Sequence, residues 1–232
     1  MTFETSLPDR ARLAIFDCDG VLVDSEWLAN MVVGRELGAL GVATDEVDLA
    51  QRFTGRTTPE MVATLADEAG VTLPPGFVIA VEDAIDLALR SEVTEIEGAA
   101  AFLSRMTGAR GIASNSGADR VRASLDKAGL AGYFDPATIF AAERVSRPKP
   151  APDIYNLAFE SLGGRRDDTV VVEDSVAGVT AAHQAGLPVI GFAGGSHTPP
   201  GHGEALLTAG AALVVAGYDA LLPVFDDLGL LG

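Results

Sequence analysis

The chain has 232 residues, 48% of them hydrophobic, enough for one large α/β domain or for a domain that carries an inserted subdomain. Sixteen basic and thirty-three acidic residues give a formal charge of −17, which argues against nucleic acid or an anionic membrane as partner but leaves room for a small phosphorylated ligand held by a few local cations and a metal. No apolar run reaches the roughly 18 residues that span a bilayer, Met1-Thr2-Phe3-Glu4 does not read as a secretory signal, and the single Cys18 excludes an internal disulfide, so the expectation is a soluble, cytoplasmic protein.

Leu13–Phe16 is the first apolar run that reads as a strand, and it ends in Asp17-Cys18-Asp19-Gly20. Two carboxylates two residues apart, at the carboxyl end of a strand, stand where open α/β sheets place their ligands. They repel each other unless a cation, a proton or phosphate chemistry gives them separate roles. The plain alternative is a capped turn with Asp19 as a turn residue. Cys18, between them, reads as a small buried packing residue.

From Asp24 to Val93 the pattern turns wholly helical. Trp27, Leu28, Met31, Val32, Val33, Leu37 and Leu40 recur at three- and four-residue intervals, as do Val81, Ile85, Ala88 and Leu89. Thr58-Pro59-Glu60 reads as a helix start with proline in the first turn, and Gly70 and Pro74-Pro75-Gly76 punctuate the run. This predicts a small all-helical subdomain, residues 24–93, inserted into a core made of residues 1–23 and 94–232.

Beyond it, strands are predicted at Gly111–Ala113, Thr138–Ala141, Thr169–Val172, Val189–Phe192 and Ala212–Val215, with amphipathic segments between most of them. Strands alternating with helices imply a parallel, Rossmann-like sheet wrapped on both faces. The β-branched run Val170-Val171-Val172 suits a doubly covered strand. Ser114-Asn115-Ser116-Gly117 follows the second strand and offers either a phosphate cradle at a helix N-terminus or a simple Ser turn and cap. Lys149 lies in Pro148-Lys149-Pro150-Ala151-Pro152, where the prolines fix the backbone around it, and Pro152 opens a helix over Asp153–Leu162. Glu173-Asp174-Ser175 follows the buried strand, and its carboxylates suit a hard cation, a helix N-cap, or one of each. The Gly191–Gly203 stretch, with His197 and His202, reads as a solvated loop, with a loop at the edge of the site as the alternative.

In this order, Asp-X-Asp-Gly, Ser-Asn, a proline-flanked Lys and Glu-Asp resemble the four motifs of the haloacid dehalogenase superfamily over nearly the whole chain, from about Leu13 to Val215. The helical insert resembles the cap of the branch that holds β-phosphoglucomutase and many sugar-phosphate phosphatases. The resemblance implies Asp17 as nucleophile and Asp19 as acid/base. It implies Mg²⁺ on Asp17, the Asp19 carbonyl and Asp174, with Glu173 nearby or acting through water, and Ser114, Asn115 and Lys149 on the phosphate. Specificity would come from the cap, through Glu26, Trp27 and the loop Gly55-Arg56-Thr57, with Arg56 for a second anionic group. The implied activity is a Mg²⁺-dependent phosphatase for a sugar or sugar-acid phosphate, in a monomer or weak homodimer. A β-phosphoglucomutase is the alternative, disfavoured because Ala29 stands where the mutase pattern has a histidine and Arg56 comes early in the loop. A dehalogenase is less consistent still, given Asp19 and the Glu173-Asp174 pair.

Overall fold

A computed structural model describes residues 6–53, 57–196 and 198–232. Its strands are β1 (Leu13–Phe16), β2 (Ala109–Ala113), β3 (Ile139–Phe140), β4 (Thr169–Glu173), β5 (Val189–Phe192) and β6 (Leu213–Val215). They form one sheet in the order β3-β2-β1-β4-β5-β6, and every pair is parallel. The order reverses between β1 and β4, the switch point where such sheets place their ligands.

Burial on both faces explains why the strands read as continuous apolar runs. Ala14 and Phe16 of β1, with Val170 and Val172 of β4, join one core cluster, while Leu13, Ile15 and Val171 join the other. Helices α5 (Ala99–Arg105), α6 (Ala118–Lys127) and α10 (Tyr218–Asp227) supply the first cluster through Phe102, Leu125 and Phe225. Helices α7 (Asp153–Ser161), α8 (Val176–Gln184) and α9 (His202–Ala209) cover the second through Ile154, Val179 and Leu206. Phe16 packs edge-on against Phe102 and Phe134, with ring centroids 6.3 Å away in both cases.

The third strand is shorter than predicted. Asp135 caps a short turn over Pro136–Thr138, accepting from the Ala137 N–H at 2.8 Å, and this takes Thr138 out of the strand. The second strand is longer, because Ala109 pairs in register with Leu13.

Between β1 and α5 the described chain is helical: α1 (Ser25–Gly38), α2 (Glu46–Phe53), α3 (Thr58–Glu68) and α4 (Phe77–Glu92). The chain leaves and returns at one point. Val23 bridges Glu95 antiparallel, the Asp24 N–H donates to the Thr94 carbonyl at 3.0 Å, and the Ile96 N–H donates to Leu22 at 3.0 Å. Thr57 and Glu60 cap α3 reciprocally, which explains its sharp start. Val32, Val33, Leu37, Val62, Leu65, Val81, Ile85 and Leu89 form the buried faces of these helices. Met31, expected among them, is 45% exposed. The buried stripe of α1 is narrower than the sequence pattern.

Candidate active site

The carboxyl ends of the strands bring the predicted groups together. Asp17 follows β1, and its N–H donates to the Val172 carbonyl at 2.9 Å, which locks it beside β4. Glu173 is the last residue of β4, and Asp174 follows at once. Lys149 reaches in from the loop after β3, where its peptide bond to Pro150 is cis. Asp17, Lys149, Glu173 and Asp174 are all buried.

Lys149 Nζ lies 2.7 Å from Asp17 Oδ1 and 2.6 Å from Glu173 Oε1. Glu173 is bonded at both oxygens. The Tyr155 hydroxyl donates to Oε1 at 3.1 Å, and the Ser175 N–H and hydroxyl donate to Oε2 at 2.8 and 3.0 Å. The Lys149 ammonium also stands 4.9 Å from the centre of the Tyr155 ring. Ser175 in turn accepts from Gly178 and caps α8. A Cβ at Gly178 would overlap the Glu173 carboxylate, so glycine is required there.

Asp19 is fixed differently. Ser116 Oγ donates to its Oδ2 at 2.7 Å, while Ser114 Oγ sits at 3.5 Å from the same oxygen and accepts from the Ser116 N–H at 3.0 Å. Ser114 and Ser116 stand in the bend after β2, and the Ser116 N–H to Ser114 hydroxyl bond folds both side chains towards the same Asp19 oxygen. Ser116 was not among the expected site residues, and its only sequence signal is the second serine of Ser114-Asn115-Ser116.

Asn115, expected on phosphate, has its side chain engaged elsewhere. Its amide donates to the Lys149 carbonyl at 3.1 Å and its oxygen accepts from the Lys149 N–H at 2.9 Å. The pair clamps the lysine loop to the end of β2, and only the Asn115 backbone remains for a phosphate. Tyr155, also absent from the predicted set, lies six residues after Lys149 on the inward face of α7, where an aromatic reads as core. His202 corrects the solvated-loop expectation. It is part-buried at the start of α9, with Nε2 donating to the Asp174 carbonyl at 2.5 Å. His197 lies outside the described residues.

Among the specificity candidates, Glu26 is half-buried and lines a cleft with Pro150, Asp174 and His202. Trp27 is half-buried on α1. Thr57 is exposed, with its hydroxyl engaged in capping α3. Gly55 and Arg56 lie outside the described residues.

The electrostatics follow from burial. Burial pushes the Asp17 carboxyl up to about 8, with Lys149 opposing and Glu173 and Asp19 adding to the rise. Asp174 is held well above the ordinary carboxylate range by burial, by Glu173 and by Glu26. Burial works against the Lys149 charge, but Asp17 and Glu173 outweigh it and keep the ammonium protonated. Burial and the two aspartates push the Cys18 thiol up, so it is no nucleophile.

One oxygen each from Asp17, Glu173 and Asp174 falls within 4.8 Å of the others, a spacing that fits a hard cation. Gly20 makes this possible. It turns the chain at φ +76°, and a Cβ there would overlap Asp174 Oδ2. Since Glu173 is bonded at both oxygens, Asp17 and Asp174 are the carboxylates best able to face an ion.

A family model described as haloacid dehalogenase-like hydrolase matches residues 14–192. The 6-phosphogluconate phosphatase of Escherichia coli is 31% identical over 192 residues, covering 82% of this chain and 86% of that protein. Hexitol phosphatase A of the same organism is also 31% identical, covering 82% and 87%. A solved HAD family hydrolase from Deinococcus radiodurans, with bound phosphate and sodium, is 33% identical over 96% of this chain and 98% of that one, with a TM-score of 0.83. With the parallel sheet and the lysine-linked carboxylates at its switch point, these matches make the chain an enzyme of the haloacid dehalogenase-like hydrolase family.

Proposed function

We propose that the chain is a Mg²⁺-dependent phosphatase for a sugar or sugar-acid phosphate, acting through an aspartyl-phosphate on Asp17. The observation that carries this reading is the buried Lys149, bonded to both Asp17 and Glu173 beneath a third carboxylate. The relatives named for sugar-phosphate hydrolysis support it.

Asp17 Oδ attacks phosphorus, the ester oxygen leaves, and a carboxyl-phosphate bond replaces the ester bond. Asp19 gives its proton to the departing alcohol oxygen, then takes a proton from the water that hydrolyses the acyl-phosphate and regenerates Asp17. Ser116 orients the Asp19 carboxylate for both steps. Ser114 and Lys149 would contact the phosphoryl oxygens, and Glu173 holds the ammonium in place. Mg²⁺, when bound, neutralises the carboxylates and the phosphoryl oxygens. The Asp17 and Asp174 carboxylates and the Asp19 backbone carbonyl would hold it.

Residues 24–93 would act as a cap over the core of 1–23 and 94–232, excluding water and selecting the alcohol. The protein would work in the cytoplasm as a monomer or weak homodimer, without nucleic acid or membrane partners. No helix among the described residues is long and apolar enough to cross a membrane.

The test is a panel of phosphorylated metabolites with Mg²⁺, scored for free phosphate and for isomerised sugar phosphate. Release of free phosphate that is lost in Asp17→Asn supports the reading, and isomerisation without release refutes it.

A further inference from the structure

A cleft of about 850 Å³ is lined by residues of α4 and α6 and by Ser116. Four of the sixteen basic residues of this acidic chain line it: Arg90, Arg120, Arg122 and Arg144. Three carboxylates, Asp86, Asp119 and Glu143, line it too.

Two of the arginines have local partners. Arg122 Nη1 pairs with Asp119 at 3.4 Å, and Arg144 donates to the Ile139 carbonyl at 3.3 Å while stacking on Phe140. Glu143 is also engaged, accepting from the Ala118 N–H at the start of α6 at 2.9 Å. The other two arginines are less committed. Arg120 reaches Asp86 of α4 only through Nη1 at 3.5 Å, and its buried Nε has no hydrogen-bond partner among the described residues. Arg90 is exposed and forms no ion pair among the described residues. Arg120 also stands close enough to Cys18, between the two aspartates, for its charge to act on that thiol.

On the phosphatase reading above, we infer that Arg120, with Arg90 across the cleft, forms a subsite for a carboxylate at the end of the substrate remote from the phosphate. The geometry supplies the reason. Ser116 donates to Asp19 and also lines the cleft, and on this inference a substrate whose phosphate sits on Asp17 would run past Ser116 towards Arg120. The charge balance selects the anion. Four guanidinium groups against three carboxylates leave one uncompensated cation, which matches a singly charged carboxylate and not a dianionic second phosphate. A guanidinium is also the group that binds a carboxylate in two-point fashion.

The test uses two substrates of equal length, 6-phosphogluconate and sorbitol 6-phosphate, which differ at the remote end as carboxylate against CH₂OH. The readout is the ratio of their kcat/KM values in the full-length enzyme with Mg²⁺. The ratio should favour 6-phosphogluconate in the wild type and fall by about tenfold or more in Arg120→Gln, the scale of one lost charged contact. Arg120→Lys should restore part of it, and Asp86→Asn, which cuts the α4–α6 ion pair but keeps the cation, should hold it within about twofold. The inference is overturned by a wild-type ratio near one, by an unchanged ratio in Arg120→Gln, by an equal fall in Asp86→Asn, or by a collapse in Arg56→Gln while Arg120→Gln keeps the ratio. Hydrolysis of neither substrate, nor of any other phosphate monoester, would defeat the phosphatase reading itself; hydrolysis of both at equal rates defeats only the carboxylate subsite.

Discussion

Tyr155→Phe removes one oxygen from the buried network and leaves its shape intact. The hydroxyl donates to Glu173 Oε1 at 3.1 Å, and that oxygen also accepts from Lys149 at 2.6 Å. Phenylalanine fills the same space on the inward face of α7 and keeps the ring beside the ammonium, so no cavity opens. What is lost is one hydrogen bond to a buried ionised acceptor, which costs about 1.5–3 kcal/mol. For a chain of this size each kcal/mol moves Tm by about 2–4 °C, so a drop of roughly 3–12 °C is expected in a scanning-calorimetry or dye-melt comparison. Activity should fall less steeply than stability. Lys149 still spans Asp17 and Glu173, so kcat should drop by no more than about tenfold, with KM for the phosphate ester little changed. An unchanged Tm would refute the reasoning, because it would mean that the hydroxyl carries no net stabilisation of Glu173. A loss of activity as complete as that of Asp17→Asn would also refute it, because Tyr155 would then be touching the reacting atoms.

Asp17→Asn should fold normally by circular dichroism and lose at least about 99% of turnover, a barrier increase of about 2.7 kcal/mol or more, since an amide cannot form the acyl-phosphate. Gly20→Ala should abolish Mg²⁺-induced thermal stabilisation and lower Tm, because the new Cβ overlaps Asp174 Oδ2 and sits at φ +76°, a conformation that costs about 1–2 kcal/mol for a non-glycine residue. The pH dependence of the metal-free protein follows from Asp17, raised from 3.8 to about 8. Between those values the folded state holds a proton that the unfolded state has released, so this contribution to stability is present below pH 4 and is lost as pH rises towards 8. Since a cation binds the deprotonated carboxylates, the Tm increase on adding Mg²⁺ should grow from pH 5 to pH 8, and a shift that shrinks over that range would contradict the assignment.

The sheet was legible because strands covered on both faces carry no alternation to obscure them: Leu13–Phe16 and Val170-Val171-Val172 are apolar throughout. The lysine was legible because prolines on either side restrict its backbone whatever the rest of the fold does. Asn115 shows where this kind of reading stops. Its partner is the backbone of Lys149, 34 residues away, and nothing in a Ser-Asn pair distinguishes a phosphate ligand from a clamp on a distant loop. Tyr155 was hidden for a related reason. An aromatic on the inward face of a helix satisfies the hydrophobic pattern, and only the fold shows that its polar end meets a carboxylate. His202 is similar: a histidine in a glycine-rich stretch carries no signal until β4 and α9 bring it to the Asp174 carbonyl.

The buried charges explain why the site is built as it is. Asp17, Glu173 and Asp174 face a single buried cation, so full ionisation would leave the cluster at −2. Burying an unmatched ion costs several kcal/mol even after relaxation. Glu173 avoids that cost through three donor groups and the ammonium, and it passes rigidity on to Lys149 and through it to Asp17. Asp174 is placed otherwise: Gly20 has no side chain to keep it away, and burial, then its neighbours Glu173 and Glu26, raise its pKa. A fold selected only for stability would separate these carboxylates or replace one of them. Holding Asp174 against Asp17 makes sense when a cation completes the cluster, and on the proposed mechanism the same arrangement would keep Asp17 ionised and aligned for attack with that cation bound.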